Sequence, residues 1–136
     1  MFFIEHYVGS SDIAGVGLFA KNDVKKGELI WAFDARWVML ISDAEIAAMP
    51  PPMQVSVLKY CYRGRGKDRL NAAYYYCADD SKFMNHAADP NTEWLAEGDR
   101  YIAARDVAAG TEITCSYADF CTEGEACFAF LTRVSV

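Results

Sequence analysis

Apolar residues fall in short runs of strand length along most of the chain, separated by glycine, asparagine, aspartate and proline. Phe2 to Val8, Leu29 to Phe33 and Trp37 to Ile41 are rich in aromatic and branched side chains and are expected as strands. Gly9-Ser10-Ser11-Asp12 is expected to end the first of them. Ala72-Ala73-Tyr74-Tyr75-Tyr76-Cys77 is another strand; its period of two puts Tyr74 and Tyr76 on one face and Tyr75 on the other. One of those faces belongs to the core, and the other is available to line a channel. Thr92 to Ala96 and Arg100 to Ala104 form a hairpin around Glu97-Gly98-Asp99. The pattern turns helical only after Ser42, where Ser42-Asp43-Ala44-Glu45 is a capping box. That helix stops at Pro50-Pro51-Pro52, and Pro52 opens a second helix to about Tyr62, with Val55, Leu58 and Tyr62 as its core face. The expected fold is mainly β or α+β, with one helical insert.

Two stretches resemble each other: Asp23-Val24-Lys25-Lys26-Gly27-Glu28-Leu29 and Asp106-Val107-Ala108-Ala109-Gly110-Thr111-Glu112-Ile113. Two copies are too few for a solenoid and suggest two similar corners within one fold. Gly15-Val16-Gly17-Leu18-Phe19-Ala20 matches a dinucleotide fingerprint by letter. It lacks the βαβ frame, because Gly27 arrives before a helix can form. Its glycines serve a tight turn or let a ligand approach the backbone.

Composition narrows the function. With 136 residues and 53% apolar content, the chain is expected to be one domain, residues 1–136, with an ordinary core. A formal charge of −6 disfavours nucleic acid as the main partner and suits a basic one, such as a lysine-rich peptide. Arg63-Gly64-Arg65-Gly66-Lys67-Asp68-Arg69 is a solvated basic loop. No signal-peptide pattern and no run of transmembrane length occur, so an intracellular, cytoplasmic protein is expected, or one in a host nucleus if it is a viral or secreted effector. Five cysteines in a scattered set (Cys61, Cys77, Cys115, Cys121, Cys127) fit reduced thiols better than disulfides or zinc.

The chemistry converges on Lys82-Phe83-Met84-Asn85-His86-Ala87-Ala88-Asp89-Pro90-Asn91, which holds one of only two histidines and ends in an Asp-Pro-Asn turn. In order along the chain, Gly15 to Ala20, Phe83-Met84-Asn85-His86, Asp89-Pro90-Asn91 and Gly110-Thr111-Glu112-Ile113-Thr114-Cys115-Ser116-Tyr117 together resemble the SET domain family of protein lysine methyltransferases. The resemblance runs from about Val8 to Phe120, and the compact length is similar to minimal viral and bacterial members without pre-SET or post-SET zinc segments.

That resemblance implies small curved β-sheets (a β-clip) with a threaded C-terminal segment. It implies S-adenosylmethionine as cofactor, held by Gly15, Val16, Gly17, Lys82, Asn85, His86 and Phe120. It also implies Tyr117 as the catalytic tyrosine, a channel walled by Tyr74, Tyr76 and Cys115, and a lysine-containing protein as partner. It places the helical insert at about residues 42–70, where it would shape substrate recognition. Three departures stand out. Ala87 and Ala88 replace a common Ser-Cys pair, which removes a zinc ligand. Lys82 replaces arginine and loses its planar fork. Cys115 is smaller than the usual Phe or Tyr and leaves room for a methylated amine. A non-catalytic SET-like peptide-binding or dimerisation module is the alternative. For the tail Ala126 to Leu131, a cover over the cofactor, a homodimer contact and a final core element are all open.

Overall fold

The computed structural model describes residues 1–63 and 73–120. Short strands dominate, arranged in three small sheets. The first sheet has the order β1-β2-β10-β7. Strand β1 (His6–Ser10) and strand β2 (Val16–Ala20) form an antiparallel hairpin from His6↔Ala20 to Ser10↔Val16. The turn between them is closed by the Ser11 N–H donating to Gly15 O at 3.0 Å. Gly15 sits there at φ +49°, where a side chain would be strained. Strand β1 is therefore displaced from the expected Phe2–Val8. Residues before His6 contribute only a Phe2↔Trp31 bridge, and Gly9 and Ser10 lie inside the strand, opposite Gly17 and Val16. Strand β10 (Glu112–Cys115) pairs antiparallel with β2 and parallel with β7 (Asn85–His86). Leu18 and Ile113, paired across β2 and β10, are fully buried, as is Ile30.

Strand β3 (Leu29–Ala32) joins the hairpin of β8 (Thr92–Leu95) and β9 (Arg100–Ala103) in the order β3-β9-β8. The hairpin turn is where expected: Gly98 and Asp99 both have positive φ, and Trp94 Nε1 donates to Asp99 Oδ1 at 2.8 Å.

The two repeated corners interlock. Val24 and Val107 bridge each other through two N–H···O bonds of 2.8 Å. The Lys26 N–H donates to Asp106 Oδ1 and the Ala109 N–H to Asp23 Oδ1, both at 2.9 Å. Gly27 and Gly110 have φ of +87° and +84°. The internal repeat is thus an approximate two-fold clasp with both valines buried at its centre.

Strands β4 (Val38–Ser42), β5 (Cys61–Tyr62) and β6 (Ala73–Cys77) make the third sheet, in the order β4-β6-β5. Helix α1 (Asp43–Ala48) starts with the expected capping box: the Glu45 N–H donates to Ser42 Oγ at 3.1 Å, and the Ser42 N–H to Glu45 Oε2 at 2.7 Å. Such a cap contributes about 1 kcal/mol. Helix α2 (Pro51–Tyr60) ends before the expected Tyr62, because Cys61 and Tyr62 pair with β6. Its core face also differs from expectation. Val57 is buried with Ile41, Ile46 and Cys61, whereas Val55 is 70% exposed. Leu58 packs on the edge of that cluster, and Tyr62 packs instead against the main core. The basic loop beyond Arg63 and the tail from Cys121 lie outside the described residues.

Candidate active site

Where β2, β7 and β10 meet, a cluster of polar side chains ties the sheet together. The buried Asn85 directs Nδ2 toward Glu112 Oε1 (2.8 Å), Val16 O (3.0 Å), Ser11 Oγ (3.1 Å) and Ala14 O (3.2 Å). Ser11 Oγ lies 2.8 Å from both Glu112 carboxylate oxygens and donates to that carboxylate. Ser11 Oγ in turn accepts from the Ile13 N–H at 2.9 Å, fixing the turn before β2. A Cβ on Gly17 would collide with Glu112 Oε1. Gly17 therefore makes room for an internal carboxylate. Glu112 and Ser11 were not foreseen as site residues. Glu112 was visible only as a letter in the Gly-x-Glu element, and its partner is 101 positions away.

The Asp89-Pro90-Asn91 turn holds β10 from the other side. Asn91 Nδ2 donates to Glu112 O at 2.8 Å, and Asn91 Oδ1 accepts from the Thr114 N–H at 2.9 Å. Arg105 donates to the carbonyls of Asp89 and Pro90, each at 3.1 Å.

Two cavities open beside this cluster. The first, about 160 Å³, has Gly15, Val16 and Asn85 on one side, Lys82 and Phe83 on a second, and Leu58 from α2 on a third. The second, about 80 Å³, is lined by Tyr62, Cys77, Met84, Tyr101, Cys115 and Phe120. Lys59, Tyr60, Lys82 and Tyr117 line both cavities. The two spaces are therefore neighbours that share a wall containing Tyr117.

Tyr117 follows β10 in a 3-10 turn, and both of its polar groups are anchored. Its N–H donates to His86 Nδ1 at 3.1 Å, and its hydroxyl donates to Met84 O at 2.9 Å. The ring lies between His86, 5.4 Å away, and Phe120, 5.3 Å away. Burial, reinforced by the nearby Cys115 and Glu112, pushes the hydroxyl far above the ordinary tyrosine range. Tyr117 is therefore a fixed, protonated hydroxyl and not a base.

The structure separates the expected site residues. Gly15, Val16, Lys82, Asn85 and Tyr117 gather at the larger cavity; Cys115 and Phe120 lie at the smaller one. His86 lines neither. Adjacent strand residues point to opposite faces, so with Asn85 toward the cavity, His86 faces the interior behind Tyr117. Its Nδ1 acts as an acceptor, so that nitrogen carries no proton. Burial lowers its pKa, and the Asp119 carboxylate opposes that shift.

Tyr74 and Tyr76 pack against the cluster of Ile41, Ile46, Val57 and Cys61, and the Tyr76 ring centroid lies 5.5 Å from Lys82 Nζ. The opposite face of β6 carries Cys77 to the smaller cavity and Tyr75 into ring contact with Tyr62. Lys82 Nζ donates to Asp79 O at 3.0 Å and sits 4.8 Å from the Phe83 ring centroid.

Cys61, Cys77 and Cys115 are buried cysteines at the smaller cavity. Burial pushes Cys61 up to about 12 and raises Cys77 as well, so these thiols act as small apolar linings. Among the described residues no group of three side chains is placed to hold a metal ion, and no helix is long and apolar enough to cross a membrane.

The family model described as "SET domain" matches residues 15–118. The mouse and human proteins named "Histone-lysine N-methyltransferase, H3 lysine-36 specific" are each 32% identical over 110 residues, which is 76% of this chain and 4% of theirs. The "Variant-silencing SET domain-containing protein" of Plasmodium falciparum is 27% identical over 126 residues, 81% of this chain and 5% of that one. The chain thus spans only a small part of these relatives. Among solved structures, a putative histone methyltransferase of Plasmodium falciparum aligns with a TM-score of 0.54 at 21% identity, covering 84% of this chain and 93% of that one. One described as ctPRC2 in an autoinhibited conformation bound to S-adenosylmethionine aligns with a TM-score of 0.58 at 22% identity, covering 88% of this chain and 16% of that one. These likenesses show the fold: small sheets of short strands with few helices, as expected from the sequence.

Proposed function

The chain belongs to the SET domain family, and from that premise we propose that it is a protein-lysine N-methyltransferase that uses S-adenosylmethionine. The observation that carries the proposal is that two cavities share a wall containing Tyr117, whose hydroxyl is anchored on Met84 O. The larger cavity has the fittings for the cofactor: exposed backbone at Gly15 and Val16, the Asn85 amide, the Lys82 ammonium and the rings of Tyr60 and Phe83. When bound there, the cofactor supplies a sulfonium methyl group open to displacement.

The chain's own residues account for the remaining requirements. A lysine side chain entering between Tyr62, Tyr101 and Phe120 leaves water for an aromatic wall. Desolvation disfavours its ammonium form and lowers a pKa that is about 10.4 in water, so deprotonation needs no side-chain base. Tyr117 donates its proton to Met84 O, and its oxygen keeps acceptor capacity for a hydrogen of the incoming amine. Aromatic faces stabilise cationic groups on either side of the transfer. Holding both partners in line supplies up to roughly 7–11 kcal/mol of the barrier reduction. Cys115 and Cys77 occupy little volume at the deep end, which accommodates an amine that already carries a methyl group. The acidic surface, at −6 overall, favours a basic protein substrate.

The test is incubation with S-adenosylmethionine and lysine-rich proteins, read by mass spectrometry. One-methyl mass gains on lysine are expected. No gain on any substrate, together with no cofactor binding by calorimetry, would refute the proposal.

A further inference from the structure

The larger cavity is positively charged inside an acidic protein. Lys59 and Lys82 both line it, and among the described residues no acidic side chain does. The nearest carboxylate in the polar cluster, Glu112, is held by Ser11 and Asn85 and stays out of the lining. Among the described ion pairs neither lysine has a carboxylate partner. Lys82 is steadied by Asp79 O, whereas Lys59 lies at the end of α2, exposed, with its ammonium 5.2 Å from the Tyr60 ring centroid. Lys59 belongs to the insert, the part expected to recognise substrate, yet its placement is at the cofactor cavity.

We propose that Lys59 and Lys82 form a two-ammonium clamp for the α-carboxylate of the methyl donor. This deepens the methyltransferase reading and rests on it. The carboxylate is the donor's only anion, so it is the group that two unpaired ammoniums neutralise. Charge-assisted N–H···O bonds of this kind are among the stronger polar contacts. Lys82 reaches the cavity from the segment before β7, and Lys59 reaches it across the space from the insert. The carboxylate therefore ties the insert to the body of the protein. Lys59 and Tyr60 also line the smaller cavity, so the same contact fixes one wall of the channel. The insert then contributes to donor affinity as well as to substrate choice.

Calorimetry with two ligands tests the clamp: S-adenosylmethionine and its decarboxylated analogue, each against the wild type, Lys59→Gln, Lys59→Arg and Lys82→Gln. Lys59→Gln is expected to weaken S-adenosylmethionine about tenfold and the decarboxylated ligand less than twofold, with Lys59→Arg restoring most of the loss. Lys59 is exposed, so thermal unfolding of the variant should match the wild type. An equal loss for both ligands, or no loss for either, overturns the clamp while leaving the methyltransferase reading in place. A wild type that binds neither ligand overturns both.

Discussion

The sheet β1-β2-β10-β7 and the insert layer of α1, α2 and β4-β6-β5 border the same two cavities by different physical means. In the first, Ser11, Asn85, Asn91 and Glu112 hold one another and the backbone through directional hydrogen bonds. In the second, four aliphatic or sulfur-containing residues form a small cluster, while Met39, Leu40, Met53 and Val55 stand exposed around it. Directional bonds demand a particular atom at a particular place, so each member excludes its neighbours' alternatives. Aliphatic packing requires only volume and apolarity, so many side chains serve.

The contrast can be broken most directly at Gly17. Gly17→Ala should expel the Glu112 carboxylate from its bonds to Ser11 and Asn85 and cost about 2–4 kcal/mol, read by urea or thermal unfolding. A cost under about 0.5 kcal/mol would put the hydrogen-bonded sheet on the same footing as the insert. Tyr117→Phe comes next. Removing the hydroxyl that donates to Met84 O should lower turnover about a hundredfold and leave donor affinity within about threefold. Turnover equal to wild type would remove Tyr117 from the chemistry.

Acidification sharpens the comparison. The folded pKa of His86 lies below its ordinary 6.5, so between those two values the unfolded chain binds a proton that the folded chain refuses. Stability is therefore complete above about 6.5 and falls as pH drops, by at most about 1.4 kcal/mol per pH unit. His86→Asn, whose Oδ1 can accept from the Tyr117 N–H without titrating, should flatten that slope in a pH series of unfolding curves. An unchanged slope would assign it to other groups. The smallest effect belongs to the insert: Val55→Ser should change stability by no more than about 0.5 kcal/mol. A cost above about 1.5 kcal/mol would mean that this face is covered in solution.

The same contrast explains what could be read in the sequence. The Asp-Pro-Asn turn and the two glycine corners were legible because each residue type meets a specific backbone or bonding demand. The capping box at Ser42 and Glu45 was legible for the same reason. The faces of α2 and β6 were not. Val55 and Val57 are chemically alike, and only the position of β5 against β6 decides which is buried. Tyr74, Tyr75 and Tyr76 alternate correctly, but alternation does not say which side the helices cover. His86 was paired with Asn85 by the resemblance, which does not say that neighbours on a strand face opposite sides. Glu112 was missed as a site residue because its role depends on a partner a hundred positions away.

That distance has a kinetic consequence. Ser11 meets Glu112 across a separation of 101 residues, and the clasp of Val24 with Val107 spans almost as much chain. Closing a loop of that length costs about 4 kcal/mol of chain entropy on the logarithmic scaling alone, before the contacts repay it. Folding of this topology is accordingly slow compared with a helical bundle of the same size. Until β10 arrives, the β2 side of the β1–β2 hairpin is an open edge. The larger cavity is then a late product of folding, assembled in the same event that closes the chain on itself.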